Sequence, residues 1–155
     1  MAGVNSSRPA AKIVVDGVDK TFRSGSGPVE ALRDVDFDVR EGEFVCIIGS
    51  SGAGKTTLFR IIAGLEAPTS GAVRLDGDPV EGPGTDRGMV FQEYGLFPWR
   101  TVLGNVTFGL EQRDMSKAAR RERAEAMIDL VGLGEFADSY PKELSGGMKQ
   151  RVGIA

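Results

Sequence analysis

The sequence predicts an α/β fold, and one stretch in its first half supplies the main evidence. Residues 44–48 are continuously apolar, which is typical of a strand covered on both faces of a parallel sheet. A glycine-rich turn follows this run. After the turn, apolar side chains recur at the spacing of one helix face, at Leu58, Ile61, Ile62 and Leu65. A strand, a glycine-rich loop and a helix in that order open a βαβ unit, so we expect an α/β core here.

The other predicted strands are shorter or only half-buried. Residues 12–18 are rich in Val and predict a strand. In residues 32–39, apolar side chains alternate with aspartates, which indicates a strand buried on one face only. Residues 72–75 and 88–91 predict two further short strands. Cys46 lies inside the apolar run, and we expect it to be buried and unreactive.

Helix-forming segments dominate from Pro98 onward. Residues 116–131 predict a helix with a serine at its N-cap, whereas residues 101–110 are ambiguous because Gly104 interrupts a helical spacing. The basic cluster of the predicted helix alternates with glutamates, and we interpret it as a solvated face. We therefore divide the chain into a mobile tail (residues 1–11) and a single domain (residues 12–155), with a β-rich core part (12–97) and a helical subdomain (98–152).

Composition excludes several classes of function. The net charge of −3 gives no electrostatic reason to expect a nucleic-acid partner. One cysteine and no histidine exclude an internal disulfide, a structural zinc site and an imidazole base. The N-terminus lacks the apolar segment of a secretory signal, and the apolar run at residues 44–48 is too short to span a bilayer. These features predict a soluble domain of the cytoplasm.

Residues 49–57, with the sequence GSSGAGKTT, fit the P-loop pattern G-x-x-x-x-G-K-[ST]. Gly49, Gly52 and Gly54 allow the backbone to curl so that its N–H groups point at a phosphate. Lys55 can then reach the β- and γ-phosphates as a point charge, and Thr56 can offer its hydroxyl to Mg²⁺. The motif therefore predicts a site for a nucleotide with its magnesium ion.

Two other features fit a phosphate-binding protein. In LSGGMKQR, Ser145 offers a helix N-cap hydroxyl, and Gly146 and Gly147 permit a close approach of backbone to ligand at an anion-attracting helix N-terminus. Gln92 ends a predicted strand, where glutamine is most often a polar turn residue, but beside a P-loop it could reach Mg²⁺ or orient a water. Phe22 could stack on adenine, although an aromatic side chain near a strand is more often part of the core.

Together, GSSGAGKTT, Gln92 and LSGGMKQR make the sequence resemble the nucleotide-binding subunit of an ABC transporter, from about residue 12 onward. The resemblance implies a P-loop NTPase core with an N-terminal antiparallel β subdomain and a helical subdomain. It implies catalytic roles for Lys55 and Gln92, and Mg²⁺ ligation by Thr56 and Gln92. It also implies two sets of ATP contacts. One set binds the subunit's own ATP, and comprises Phe22, Gly49, Ser50, Ser51, Gly52, Ala53, Gly54, Lys55, Thr56 and Thr57. The other contacts ATP held by a second ATPase subunit in a head-to-tail dimer, and comprises Ser145, Gly146, Gly147 and Gln150.

The stretch around Pro98 is similar to that of importers for nitrate, sulfonate, taurine and related small anions. The resemblance places Phe97, Pro98 and Trp99 near a surface that docks a transmembrane permease, although Trp99 could equally fill the helical subdomain. It implies an ATP-hydrolysing subunit, peripheral on the inner face of the cell membrane. Such a subunit energises import and depends indirectly on a solute-binding protein.

Several parts of that family's pattern have no counterpart in this sequence: the Walker B aspartate, the adjacent catalytic glutamate and the switch histidine. We therefore expect the chain to be the N-terminal part of a longer protein, cut before the Walker B strand. Two alternatives stay open. The chain could be a nucleotide-binding fragment without turnover, or it could belong to a soluble ABC ATPase that transports nothing.

Overall fold

The computed structural model describes residues 11–25 and 27–155. Of the tail predicted at residues 1–11, residues 1–10 lie outside the described residues, whereas Ala11 is the first residue of a strand rather than part of a tail. They form two compact units divided between Gly88 and Met89. The first unit contains β1 (Ala11–Ser24), β2 (Gly27–Arg40), α1 (Lys55–Ile62), β3 (Ser70–Leu75) and β4 (Asp78–Pro79). The second contains α2 (Val102–Phe108), α3 (Lys117–Leu130), α4 (Gly146–Ile154) and two short 3₁₀ turns, Gly134–Phe136 and Pro141–Glu143.

An antiparallel sheet in the order β2-β1-β3-β4 forms the framework of the first unit. β1 and β2 make a long hairpin in which Val15 lies opposite Phe37 and Phe22 lies opposite Val29. Along β2, Val35 and Phe37 are half-buried, whereas the aspartates between and after them are exposed. The predicted half-buried strand and its alternating pattern are therefore confirmed.

The core of the first unit lies between this sheet and α1. Leu58 and Ile61 of α1 are buried together with Leu32 of β2, and Val15, Val18 and Val73 complete the cluster. Each fully buried aliphatic side chain of this kind stabilises a fold by about 1.5–3 kcal/mol. The helical spacing predicted this face correctly at residues 58 and 61, whereas Leu65, predicted on the same face, lies beyond the end of α1 and is 40% exposed.

Two predicted strands are wrong. Residues 44–48 and 88–91 are not strands. Phe44 and Ile48 are 93% and 90% exposed, and Cys46 is exposed rather than buried. The physical reason is that a strand requires a paired neighbour for its backbone hydrogen bonds. The sheet of the first unit pairs neither segment among the described residues, so apolar composition alone does not produce a strand.

In the second unit, α2, α3 and α4 pack through a small aliphatic core. Val102, Ile128 and Val152, one from each helix, are buried in one cluster with Leu133 and Leu144. Hydroxyl caps start all three helices: the side-chain oxygens of Thr101, Ser116 and Ser145 accept bonds from backbone N–H groups in the first turn. The helix predicted at residues 116–131 is confirmed, and the ambiguous segment at residues 101–110 is largely helical. Among the described residues, no helix is both long and apolar enough to cross a membrane.

Candidate functional site

The predicted phosphate loop is an exposed turn that leads directly into α1. Gly52 and Gly54 have φ values of 81° and 79°, in the left-handed region that favours glycine. Gly54 is the N-cap of α1 and offers no side chain to the first turn, whose own residues include no acidic group. The unsatisfied N–H groups at the start of α1 are therefore available to an anion.

The side chain of Lys55 is hydrogen-bonded to the backbone of this loop. Its Nζ donates hydrogen bonds to the carbonyl oxygens of Gly49, at 2.8 Å, and Ser50, at 2.7 Å. An ammonium group has three donors, so two carbonyl partners leave one N–H for a further acceptor. The charge is thus held over the loop backbone at the place where the motif predicts phosphate.

Gly54 also lies very close to the backbone of the sheet. A Cβ added at this position would overlap the carbonyl oxygen of Ala31 and lie 2.7 Å from Cδ2 of Leu32, both on β2. Leu32 is buried in the core with Leu58 of α1. The loop is therefore wedged between β2 and the first turn of α1, and only glycine satisfies both the close approach and the positive φ.

The oxygen chemistry around Thr56 suits a magnesium ion that also binds phosphate. Thr56 is exposed in the first turn of α1, one residue after Lys55. Among the described residues there is no cluster of three or more His, Cys, Asp or Glu side chains suited to a metal. Mg²⁺ in nucleotide sites commonly takes one or two protein oxygens and completes its shell with phosphates and waters, so a hydroxyl without an acidic cage fits it.

Phe22 lies on β1 in the same unit, outside the buried core, with 39% of its surface exposed. The ammonium of Lys20 sits 4.9 Å from the centre of its ring. Lys20 also pairs with Glu66 at 2.6 Å and lowers the pKa of that carboxyl below its ordinary value. Phe22 is therefore not the core aromatic of the alternative interpretation, while its stacking on adenine stays a prediction.

Gln92 and the LSGGMKQR segment both belong to the second unit. Gln92 is exposed at the start of a turn. Ser145 is the N-cap of α4 and accepts a hydrogen bond from the N–H of Met148 at 3.4 Å. Gly146 and Gly147 are exposed in the first turn, and Gln150 is half-buried further along the same helix. The predicted N-cap of Ser145 is confirmed, and the contacts of these residues with ATP stay predictions.

An aromatic loop precedes α2. Trp99 is 70% exposed and does not fill the helical subdomain. Its ring lies 5.5 Å from that of Phe97, which packs edge-on against Phe108 at 4.6 Å. Arg100 stacks over Phe108 and pairs with Glu111 at 2.8 Å, which holds the pKa of Glu111 below its ordinary value.

Asn105 shapes this loop, and the sequence analysis missed it. Its Oδ1 accepts from the N–H of Phe97 at 2.7 Å, and its Nδ2 donates to the carbonyls of Phe97, Arg100 and Thr101. Asparagine is a poor helix former because its amide competes for backbone groups. An asparagine inside a short helix, as at position 105, was the sequence feature that could have indicated this role.

Several known proteins are similar to this chain in sequence. Residues 32–155 match the protein family described as ABC transporter. The chain is 54% identical over 148 residues to an uncharacterized ABC transporter ATP-binding protein of Methanocaldococcus jannaschii, covering 96% of this chain and 55% of that protein. It is 52% identical over 141 residues to the nitrate import ATP-binding protein NrtD of Synechocystis sp., covering 91% of this chain and 53% of that protein. The chain thus spans about half the length of these curated relatives.

Solved structures share the fold. An ATP-binding cassette determined as a dimer in a post-hydrolysis state, bound to ADP and Pi, superposes with a TM-score of 0.81 at 37% identity. The match covers 92% of this chain and 67% of that one. The predicted fold class is therefore confirmed.

Proposed function

The chain belongs to the ABC transporter family, and from that premise we propose that it binds and hydrolyses ATP to energise import of a small anion. The observation that carries the proposal is the loop at residues 49–57. It combines a lysine ammonium held over the backbone, unsatisfied N–H groups at the start of α1, and a neighbouring threonine hydroxyl. That combination is suited to the phosphates of a magnesium nucleotide.

Each group then has a distinct role at the phosphates. The loop N–H groups bind phosphate oxygens, and Lys55 offsets the negative charge on the β- and γ-phosphates. Thr56 would provide an oxygen ligand for Mg²⁺, and the family resemblance implies the same role for Gln92. The ion, when bound, would neutralise charge on the transferred phosphate. Gln92 also orients the attacking water. Its amide is not a base, so its contribution is positional.

The LSGGMKQR segment acts on a second subunit in this proposal. Ser145, Gly146 and Gly147 present an exposed hydroxyl and exposed backbone at the N-terminus of α4, a nine-residue helix. These groups would bind the phosphates of ATP seated in the partner subunit of a head-to-tail dimer. The dimeric cassette to which the fold is similar supports this arrangement.

The relatives and one surface support a proposal for the solute and for the membrane partner. The similarity to a nitrate import protein supports nitrate or a chemically similar small anion as the solute. Pro98 and the exposed Trp99 offer an apolar surface for a transmembrane permease, which would place the subunit on the inner face of the membrane. A solute-binding protein would deliver the anion to that permease.

ATP-driven dimerisation tests the ATPase arrangement. In the protein expressed at its full natural length, we expect sizing experiments to show a dimer with Mg-ATP and a monomer with ADP. Ser145→Arg should abolish the dimer and leave monomer binding of ATP unchanged. Ser116→Arg is the matched control, because Ser116 caps α3 in the same way but lies outside the segment. A dimer that forms without ATP, or that survives Ser145→Arg, would contradict the role in trans.

Uptake tests the import assignment separately. A strain that lacks the gene should lose uptake of labelled nitrate or of a related anion. Wild-type protein should restore that uptake, whereas Lys55→Ala should not. Uptake that is unchanged by the deletion for every small anion tried would refute import while leaving ATP binding intact.

A further inference from the structure

The part of β1 that carries Phe22 is hydrogen-bonded to the segment that follows α1. The N–H of Thr69 donates to the carbonyl oxygen of Asp19 at 2.8 Å, and the N–H of Thr21 donates to Oγ1 of Thr69 at 3.0 Å. The phosphate loop lies at the other end of the same helix, since Gly54 is the N-cap of α1. These bonds therefore fix the strand around Phe22 relative to the helix that begins at the phosphate loop.

Lys20, two residues before Phe22, adds a third connection. Its Nζ pairs with Oε1 of Glu66 at 2.6 Å and donates to the carbonyl oxygen of Ala67 at 2.7 Å. An ammonium group has three donors, so two oxygen partners leave the third N–H for the ring of Phe22, whose centre is 4.9 Å away. The Lys20 side chain is only 12% exposed. A cation withdrawn from water in this way attracts an aromatic ring more strongly than an exposed one does.

The register of the hairpin places Phe22 near the phosphate loop. β1 pairs Lys20 with Leu32 and Phe22 with Val29. Leu32 belongs to the contact with the loop, because its Cδ2 would lie 2.7 Å from a Cβ added at Gly54. Strand residues are about 3.3 Å apart, so Phe22 lies about 7 Å farther along the hairpin than this contact. That separation is within the length of a nucleotide whose phosphates lie on the loop.

The ring of Phe22 is suited to stacking on a nucleobase. Phe22 is 39% exposed, and Val29 opposite it is 52% exposed. The faces of aromatic rings carry partial negative charge, so two stacked faces repel each other unless they are offset. A cation over one face draws electron density toward itself, which weakens that repulsion at the other face. Lys20 is placed to hold the ring and to improve it as a stacking partner.

We propose that Lys20 is a positioning residue for nucleobase binding, because it fixes the ring of Phe22 and strengthens its stacking on the base of a purine nucleotide. This inference rests on the proposed function, since it requires a nucleotide whose phosphates are bound at residues 49–57. It adds a residue that acts through Phe22 and contributes to affinity for the base alone.

Calorimetric titration with two ligands tests this role in the protein expressed at its full natural length. Mg-ATP has a base, whereas magnesium tripolyphosphate has phosphates only. Lys20→Gln should weaken Mg-ATP binding about three- to tenfold, through loss of the cation, and leave tripolyphosphate binding unchanged. Lys12→Gln is the matched control, because Lys12 lies on the same strand and pairs with Asp76 and Glu41, but contacts no ring among the described residues. It should change neither affinity.

A double-mutant cycle tests whether Lys20 acts through the ring. Phe22→Leu keeps an apolar side chain but removes the ring, and it should weaken Mg-ATP binding at least about fivefold. In that background, Lys20→Gln should weaken Mg-ATP binding by less than about twofold, because the ring on which it acts is gone. If Lys20→Gln fails to fold, Lys20→Met replaces it with the same expected results, since its unbranched side chain adapts to the same space.

Failure of this inference differs from failure of the proposed function. If the wild type binds neither ligand, the proposed function fails and this inference fails with it. If the wild type binds both ligands and Lys20→Gln weakens both equally, Lys20 only stabilises the fold, and its positioning role is overturned while the proposed function stands. The role is also overturned if Lys20→Gln leaves Mg-ATP affinity unchanged, or lowers it as much without the ring as with it.

Discussion

Replacing Gly54 with alanine tests whether the phosphate loop is wedged against β2. At a φ of 79°, any residue with a Cβ costs about 1–2 kcal/mol relative to glycine. The added Cβ would also overlap the Ala31 carbonyl oxygen and approach Leu32 Cδ2 at 2.7 Å. Overpacking of that kind costs about 1–3 kcal/mol. We therefore expect Gly54→Ala to lose about 2–5 kcal/mol of stability in the first unit.

Gly52→Ala is the matched control for the backbone term. Gly52 has nearly the same φ, 81°, but a Cβ there would meet nothing within 4 Å. It should therefore lose only about 1–2 kcal/mol. In thermal melts of a domain of this size, Gly54→Ala should lower the Tm by about 4–20 °C and Gly52→Ala by about 2–8 °C. Equal shifts in the two variants would refute the close approach of the loop to β2.

Two further predictions concern side-chain contacts. Lys20 lowers the pKa of Glu66 below its ordinary value of 4.5, so this pair stabilises the fold above that pH and the contribution is lost as the pH falls below it. Lys20→Gln should therefore reduce the fall in Tm that acidification below this pH causes. A fall in Tm equal to that of the wild type would contradict the pair's contribution. Asn105→Ala should destabilise the second unit by about 1–3 kcal/mol because backbone groups lose their partners. The single tryptophan, Trp99, reports on the freed loop, and its fluorescence anisotropy should fall. Unchanged anisotropy and Tm would contradict the role of Asn105.

Patterns within short stretches of the sequence correctly predicted those features that depend on residues close together in the chain. The alternation around Val35 and Phe37 and the spacing of Leu58 and Ile61 each identified a buried face correctly. The N-cap of Ser145 followed from residue type alone. In these places the nearest neighbours along the chain decide the conformation, so the sequence was sufficient.

Pairing and packing at a distance were not predictable in the same way. The apolar run at residues 44–48 looked like a buried strand, but no described strand pairs with it, and Phe44 is 93% exposed. The overlap that excludes a Cβ at Gly54 involves Ala31, more than twenty positions earlier in the sequence. A Cβ added at Gly146 would likewise lie 2.9 Å from Oη of Tyr94, a residue far away in the sequence. No pattern within a short window records such contacts.

Calorimetric titration of Mg-ATP into this chain tests whether residues 49–57 bind phosphate, on which ATP hydrolysis and ATP-driven dimerisation both depend. We expect saturable binding of one nucleotide per chain. Lys55→Ala removes a charged partner worth about 1.5–3 kcal/mol and should weaken the affinity about 10- to 150-fold. Lys142→Ala, an exposed lysine outside the site, should leave it unchanged. Equal affinity of wild type and Lys55→Ala for Mg-ATP would contradict the account.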